Sequence, residues 1–344
     1  MIRIKVDLGE RSYPVIVGPG ARSELAAAMP AGAARAAVVT QEKIGVDIDP
    51  GLPVTTVMVP DGEGAKSFAT VQELCSSFAR VPLARSDVVI AVGGGVVTDV
   101  AGLAAALYYR GIAYVNVPTT LLGQVDAAIG GKTAVNLPEG KNLAGAFWQP
   151  AAVICDTQTL ASLEARELAS GRGEMAKYAF LGTDPPGTGL LSLPIEEQVA
   201  RCVALKAEVV AGDETESGRR AVLNYGHTLA HALEASGFGD RDRDLRHGEA
   251  VAVGLVFAAE LARRMGRIDD RRVAVHREVV GGFGLSYDLP SGVSASELVD
   301  LMRRDKKAHG DLTFVLDGPA GVEIVKGVDP VLVTDTLVRM GSER

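Results

Sequence analysis

Cysteine is scarce in this chain of 344 residues, with three at positions 75, 155 and 202. Their odd number and wide spacing give no disulfide framework and no cysteine-based metal site, which points to a reducing compartment, the cytoplasm. Long apolar runs are missing too: the best candidate for a membrane span is broken by Arg110. Residues 1–13 alternate charged and apolar side chains and lack the apolar core of a signal peptide. Positive charge is in deficit, with a net charge of −8 and no compensating basic face, which argues against a nucleic-acid partner.

What is present suits a soluble α/β enzyme with many turns: 47% hydrophobic residues, 23% charged residues and 40 glycines. The length makes two domains the natural expectation. Up to about residue 155, β-branched runs at 2–6, 13–17, 36–39, 54–59, 88–92, 114–117 and 153–155 read as strands. Between several of them lie amphipathic helices such as 68–80, and alternation of this kind implies a largely parallel sheet. From about residue 160, stretches 163–178, 196–210, 221–235, 249–264, 269–281 and 294–304 read as helices, with a late β pair near 312–316 and 322–325. The fold class is therefore α/β: a Rossmann-like nucleotide-type domain at 1–158, then an all-helical domain at 159–344. No internal repeat or low-complexity segment is visible.

Histidine is rare as well, five in all, yet three fall between Leu223 and Glu249. His227 and His231 are four apart and project from one face of a helix; His247 follows on a loop. Imidazole is the commonest protein ligand for a divalent transition metal, so a metal site, zinc first, competes with polar surface or helix-capping histidines. A third histidine and apolar flanks favour metal, and a helix does not need Gly226 and His227 to open it.

A second signal sits at the sheet. The apolar run at 87–92 enters Gly93-Gly94-Gly95, followed by a helix containing Thr98 and Asp99. Glycines there let backbone N–H groups approach a pyrophosphate at a helix N-terminus. The strict G-x-G-x-x-G fingerprint fails at Thr98, and a plain tight turn explains the glycines almost as well. Glu63 and Lys66 follow an earlier strand and suit a ribose. Gly130-Gly131-Lys132-Thr133 has the tail of a phosphate loop, but the first glycine of that motif is missing. The chain uses 10 Lys against 25 Arg, yet seven lysines (66, 132, 141, 177, 206, 306 and 307) lie beside Gly, acidic or His signals. A compact ammonium suits phosphate and carboxylate; solvated surface lysine is the plain alternative for any one of them.

Taken in order, Gly93-Gly-Gly-x-x-x-Asp99, Pro118-Thr-Thr-Leu-Leu, Val125-Asp-Ala-Ala-Ile-Gly-Gly-Lys-Thr, Gly140-Lys-Asn, Gly173-Glu-Met-Ala-Lys177, Leu223-Asn-Tyr-Gly-His-Thr, His247-Gly-Glu and Asp305-Lys-Lys307 resemble the 3-dehydroquinate synthase family of sugar phosphate cyclases, from near the N-terminus to about residue 330. The resemblance implies conversion of a seven-carbon keto-sugar acid phosphate (DAHP) to 3-dehydroquinate and phosphate, a shikimate-pathway step toward aromatic amino acids. It implies tightly held NAD, one divalent metal (zinc or cobalt), and a homodimer with no membrane or nucleic-acid partner. The order of events it implies is transient oxidation by NAD, phosphate elimination, re-reduction, ring opening and intramolecular aldol closure.

By the same resemblance, the metal ligands are Glu174, His227 and His247, which corrects the pairing of His227 with His231 suggested by spacing. His231 becomes a substrate-side histidine that passes protons. Lys132, Asn142, Asn224, Lys307 and Arg110 of the neighbouring subunit correspond to groups around phosphate and ring, Lys206 and Arg220 to those around carboxylate, and Asp126 and Lys177 to hydroxyl contacts. NAD rests on Gly94, Gly95, Asp99, Thr119, Thr120, Lys132, Lys141 and Thr159, with Glu63 and Lys66 at the adenosine end. Three features depart from the family pattern. Gln41 stands where an aspartate often follows the second main strand, the stretch from His227 to His247 is longer than usual, and 182–195 reads as a short Pro/Gly loop. Two other functions stay open: an amino-substrate synthase of antibiotic pathways, whose motifs overlap almost fully, and a metal-dependent polyol dehydrogenase, which shares the Gly turn but lacks the lysine set.

Overall fold

The computed structural model describes residues 1–182, 188–237, 244–305 and 312–342. The chain forms two compact units, Met1–Glu164 with Pro194–Thr215, and Ala165–Leu193 with Glu216–Arg344. The first unit therefore takes back one helix from a stretch that chain order alone assigns to the helical domain.

Burial on both faces explains the apolar strands of the first unit. Strands β1 (Ile2–Val6), β2 (Tyr13–Gly18), β3 (Ala36–Thr40), β4 (Val54–Met58), β5 (Val88–Gly93), β6 (Ala113–Pro118) and β9 (Ala152–Asp156) form one sheet in the order β1-β2-β9-β6-β5-β3-β4. Every pairing is parallel except β1 with β2 at one edge. Side chains alternate across the sheet, so Val88, Ile90 and Val92 of β5 join Ile16, Val38, Val115, Val117 and Ile154 on one side. Val89 and Ala91 meet Val71, Leu74 and Phe78 of α1 (Phe68–Arg80), and Val97, Val100 and Leu103 of α2 (Gly95–Leu107), on the other. A helix covering a parallel sheet needs this continuous apolar run rather than a polar-out alternation. Helix α1 starts at Ser67, whose Oγ accepts the backbone N–H of Thr70 at 3.2 Å.

Two parts of this unit differ from the sequence expectation. Residues 132–147 form an antiparallel hairpin, β7 (Lys132–Leu137) with β8 (Gly140–Phe147). Gly130-Gly131-Lys132-Thr133, which falls short of a phosphate-loop motif, leads into the first strand of this hairpin. Gly145 belongs to that hairpin because a Cβ there would stand 2.0 Å from the Thr133 carbonyl. The other part is α4 (Ile195–Gly212), which follows α3 (Ala165–Leu181) in the chain yet packs on β1 and β2.

The second unit is built of α3, α5 (His227–Ser236), α6 (His247–Arg264), α7 (Asp270–Gly282), α8 (Ala295–Asp305) and α9 (Pro330–Ser342), with a short hairpin of β10 (Phe314–Leu316) and β11 (Glu323–Val325). Helix α9 has no counterpart in the sequence reading. Among the described residues no helix is long and apolar enough to cross a membrane. Helix α6 is buried from Ala250 to Ala262, with Glu260 the one charged residue of that span, the mark of a central helix.

Glycines set how α6 meets its neighbours. A Cβ on Gly248 would lie 1.7 Å from the Ser170 carbonyl oxygen of α3, and one on Gly173 would lie 1.9 Å from that of Gly248. One turn and a half further on, a Cβ on Gly254 would lie 2.0 Å from the carbonyl oxygen of Gly226. Gly226 has φ +82 and directly precedes α5. The helix expected over 221–235 is thereby split into a 3-10 turn at Arg219–Asn224 and α5, with Tyr225 and the left-handed Gly226 between them. Tyr225 is pinned from behind: its hydroxyl lies 2.8 Å from Nε2 of His276, which stacks on Phe180 with ring centroids 3.9 Å apart. Burial pulls His276 down to about 4, so the ring is neutral, its Nδ1–H donates to the Arg272 carbonyl, and its Nε2 accepts from Tyr225.

Replacing Gly173 or Gly248 by Ala should lower unfolding free energy by about 1–3 kcal/mol or more, because the new methyl meets backbone that cannot turn aside. Gly281→Ala, in α7 with open space around it, should be neutral or stabilising. Urea unfolding of the three variants checks this, and a Gly248→Ala protein as stable as Gly281→Ala contradicts it.

Candidate functional site

The Gly173–Gly248 crossing brings the residues beside those glycines together. Glu174 follows Gly173 on α3 and His247 opens α6, with His247 Nε2 3.0 Å from Glu174 Oε1. The Gly226–Gly254 contact does the same for His227, whose Nε2 lies 3.3 Å from the same oxygen. One ligand atom from each of Glu174, His227 and His247 falls within 4.8 Å of the others. His231, one turn along α5, has its ring 5.6 Å from that of His227 and 6.4 Å from that of His247, beside the trio rather than in it.

Hydrogen bonds fix which nitrogens face inward. His227 Nδ1 is 3.1 Å from the Tyr225 carbonyl, which can only accept, so Nδ1 carries the hydrogen and Nε2 of the neutral ring is bare. Burial lowers the His227 pKa despite the nearby Glu174 carboxylate, which keeps that ring neutral. A bare nitrogen and a carboxylate oxygen 3.3 Å apart is a pair of acceptors that a cation would join. The donor set, one carboxylate and two imidazoles, fits a divalent transition metal. Glu174 is fully buried, which by itself would raise its pKa, but the Lys177 ammonium and the hydrogen bond from His247 outweigh burial and hold it well below the ordinary carboxylate range. Lys177 Nζ stands 2.5 Å from Glu174 Oε2. His247 is pushed up to about 10: burial acts downward, and hydrogen bonds to Glu174 and Glu234 act more strongly upward. Glu234 Oε2 lies 3.2 Å from His247 Nδ1.

Other expected site residues of the second unit have these surroundings. Arg220 is fully buried in the 3-10 turn before α5. Asn224 donates from Nδ2 to Glu216 Oε1 at 3.0 Å, and Glu216 itself has φ +58. Lys307 lies outside the described residues.

In the first unit, β5 runs through Gly93 into α2, whose N-cap is Gly94 with no side-chain cap, so the first-turn N–H groups are left to a ligand or solvent. The glycines are also packing requirements: a Cβ on Gly93 would meet Val97 at 2.5 Å, and one on Gly94 would meet Thr120 at 3.0 Å, while Gly95 faces Ala127. Thr119 N–H donates to the Gly93 carbonyl at 3.0 Å, holding β6 beside that turn. Lys66 bridges Asp99 of α2, 2.6 Å away, and the amide oxygen of Asn142 on β8. Glu63 accepts from Asn136 Nδ2 at 2.7 Å, so the 3-10 turn, α2 and the hairpin share one polar cluster. Burial pushes the Asp99 carboxyl up to about 6, with Lys66 pulling the other way. Lys132 and Lys141 sit at exposed positions on β7 and β8. Lys206 on α4 pairs with the carboxylate and carbonyl of Asp126, which lies in a π-helical turn, Gly123–Ala127.

The sequence reading did not see what holds that turn. Gln124 is fully buried and donates to the carbonyls of Pro118 and Asp156 and to Thr159 Oγ1. Thr159, expected at the cofactor, thus has its hydroxyl engaged in this lock, where it also donates to the Asp156 carbonyl. Gln41 donates to the Pro60 carbonyl at 2.8 Å, a backbone tie in place of the expected aspartate. Arg110 is exposed and lies three residues beyond the end of α2, in a 3-10 turn where Tyr109 and Arg110 both have positive φ, 51 and 66. Glu234 was also missed, although its spacing of seven from His227 puts it on the same helix face.

The chain is similar to known proteins over most of its length. The model of the 3-dehydroquinate synthase N-terminal region matches residues 56–170, and that of the C-terminal region matches 152–308. A protein of Amycolatopsis mediterranei, provisionally named an aminodehydroquinate synthase, is 53% identical over 98% of this chain and 94% of its own length. A 3-dehydroquinate synthase of Caulobacter vibrioides is 41% identical over 99% of this chain and 100% of its own. Among solved structures, a 2-deoxy-scyllo-inosose synthase complexed with carbaglucose-6-phosphate, NAD+ and Co2+ superposes with a TM-score of 0.87 at 25% identity, covering 98% of this chain and 99% of that one. The chain belongs to the 3-dehydroquinate synthase family.

Proposed function

We propose that this protein cyclises a seven-carbon keto-sugar acid phosphate with loss of phosphate, acting on DAHP to give 3-dehydroquinate. In this reading one divalent ion, zinc or cobalt, is held by Glu174, His227 and His247, and NAD lies over the Gly93–Gly95 turn. The observation that carries it is the trio of one carboxylate and two imidazoles, Glu174 and His227 buried and His247 partly so, with both imidazole Nδ1 atoms already engaged. When bound, NAD would supply a hydride acceptor that is reset within each turnover, and the ion would polarise a substrate hydroxyl.

The chain's own residues do the rest. Glu174 and Lys177 form an ion pair inside the protein, so the ammonium has a fixed position from which to bind a hydroxyl. His231, beside the trio without joining it, is the group that takes and returns a proton at its imidazole. Arg220 and Lys206 would bind the carboxylate, and Lys132, Asn142, Asn224 and Lys307 the phosphate and ring. Asp126 would bind a hydroxyl and fixes the Lys206 ammonium. Lys66, Asp99 and Glu63 would hold the adenosine half of NAD, with Thr119, Thr120, Lys141 and Thr159 along the rest of it.

A second reading has a specific observation in its favour: the relative at 53% identity is provisionally named an aminodehydroquinate synthase, against 41% for the 3-dehydroquinate synthase of Caulobacter vibrioides. The two substrates differ at one heteroatom and share the phosphate and carboxylate, so one residue set serves both. Purified protein with NAD and zinc should release phosphate from DAHP and form 3-dehydroquinate, with no lasting absorbance at the NADH wavelength. Turnover of the amino analogue with a kcat/KM at least about tenfold higher would move the assignment to the second reading, about 1.4 kcal/mol of transition-state preference. Stoichiometric NADH without phosphate release would contradict both and support a polyol dehydrogenase.

The reading includes a homodimer in which Arg110 of one chain binds phosphate in the site of the other. Mixing inactive Arg110→Ala chains with inactive His227→Ala chains should restore partial activity, since each hybrid dimer has one site with both groups. Hybrid dimers that stay inactive, or an active protein that sediments as a monomer, would contradict it.

A further inference from the structure

The two imidazoles of the trio are held in different ways. His227 gives its Nδ1–H to a neutral carbonyl, that of Tyr225. His247 has its Nδ1 3.2 Å from a carboxylate oxygen of Glu234. Helix α5 carries His227, His231 and Glu234 at spacings of four and three, so one face presents two imidazoles and then an acid. The Glu234 side chain is only 13% exposed, so its carboxylate meets the His247 ring with little competition from water.

We propose that Glu234 is a positioning residue for the metal centre, holding His247 with Nε2 turned toward Glu174 and strengthening that nitrogen as a donor. The proposal rests on the metal assignment above. A carboxylate can only accept, so Nδ1 keeps its hydrogen against Glu234, and Nε2, 3.0 Å from Glu174 Oε1, is the nitrogen whose proton a metal ion would displace. Without Glu234 the imidazole is free to flip, which would exchange the two nitrogens and turn the hydrogen-bearing one inward. Ordering a ring before the ion arrives lowers the entropy cost of binding, and polarising its N–H makes the opposite nitrogen more basic.

Charge acts in the same direction. With a divalent ion in place, Glu174, Glu234 and Lys177 leave a net charge of one in a buried pocket; without Glu234 the same pocket holds two. His227, backed only by a carbonyl, cannot make up that difference. Glu234 would thus help set how firmly an ion is held at the trio.

The test is metal affinity, measured without turnover. Protein stripped with a chelator is titrated with zinc in competition with a chromophoric chelator, and with cobalt followed by its visible absorption. Glu234→Ala should bind zinc about 10–100-fold more weakly than wild type, with Glu234→Gln between them, because it keeps an acceptor and loses the charge. The cobalt absorption should change in intensity or position, while the melting temperature of the metal-free protein stays near wild type. In a His247→Ala background, Glu234→Ala should cost little more, since the residue acts through that imidazole. Wild-type affinity in Glu234→Ala, or an undiminished loss in the His247→Ala background, overturns the proposal and leaves the metal assignment standing. A wild-type protein that takes up neither zinc nor cobalt removes the metal assignment, and this proposal with it. If Glu234→Ala does not fold, Glu234→Gln decides: weakening of about threefold or more supports the proposal, and unchanged affinity overturns it.

Discussion

Helix α6 touches α3 and the start of α5 through bare backbone, and the candidate metal trio depends on that approach. At Gly248 and Gly173 two helices meet with no side chain between them, and at Gly254 and Gly226 the same helix meets a left-handed turn. Helices separated by ordinary side chains pack with axes about 8–10 Å apart. Removing the side chains at a crossing brings the neighbours of the crossing residues within ligand distance. Glu174 and His247 are those neighbours at one contact, and His227 at the other. A long helix buried over most of its length is the rigid part on which this can be built.

The second constraint is electrostatic. A buried carboxylate such as Glu174 is costly unless charge and hydrogen bonds compensate it. Lys177 and His247 supply that compensation, and the Tyr225 carbonyl and Glu234 orient the two imidazoles of the trio. Behind Tyr225, the neutral His276 and Phe180 fix the turn that holds His227. The first unit follows a similar rule, with Lys66 joined to Asp99 and Asn142, and Lys206 to Asp126. Charged groups expected to meet substrate or cofactor are thus held in place by opposite charge or by amide oxygens.

Much of the fold was legible because burial leaves periodic marks. The seven strands of the main sheet fall within one or two residues of where β-branched runs place them, and α1 spans 68–80 as its apolar spacing predicts. The hairpin at 132–147 escaped because glycine, lysine and proline interrupt its alternation. Helix α4 reads as a helix from periodicity, but periodicity does not say which sheet or bundle it packs against. The break at Tyr225-Gly226 was hidden because 221–235 is helical in composition; the close approach of Gly254 to the left-handed Gly226 joins residues distant in sequence. For the trio, i, i+4 spacing pointed to His227 with His231. Geometry groups His227 with His247 and Glu174 instead, as the family motifs implied. Glu234 and Gln124 left no motif, since their role lies in contacts distant in sequence.

The central claim, that one divalent ion is bound by Glu174, His227 and His247 with His231 outside its ligand set, is tested most directly by crystals grown with zinc and measured on both sides of the zinc absorption edge. The account predicts a single anomalous peak per chain about 2.0–2.2 Å from Nε2 of His227, Nε2 of His247 and a carboxylate oxygen of Glu174. A peak ligated by His231 in place of one of these, or no peak at the trio with zinc present, would contradict it.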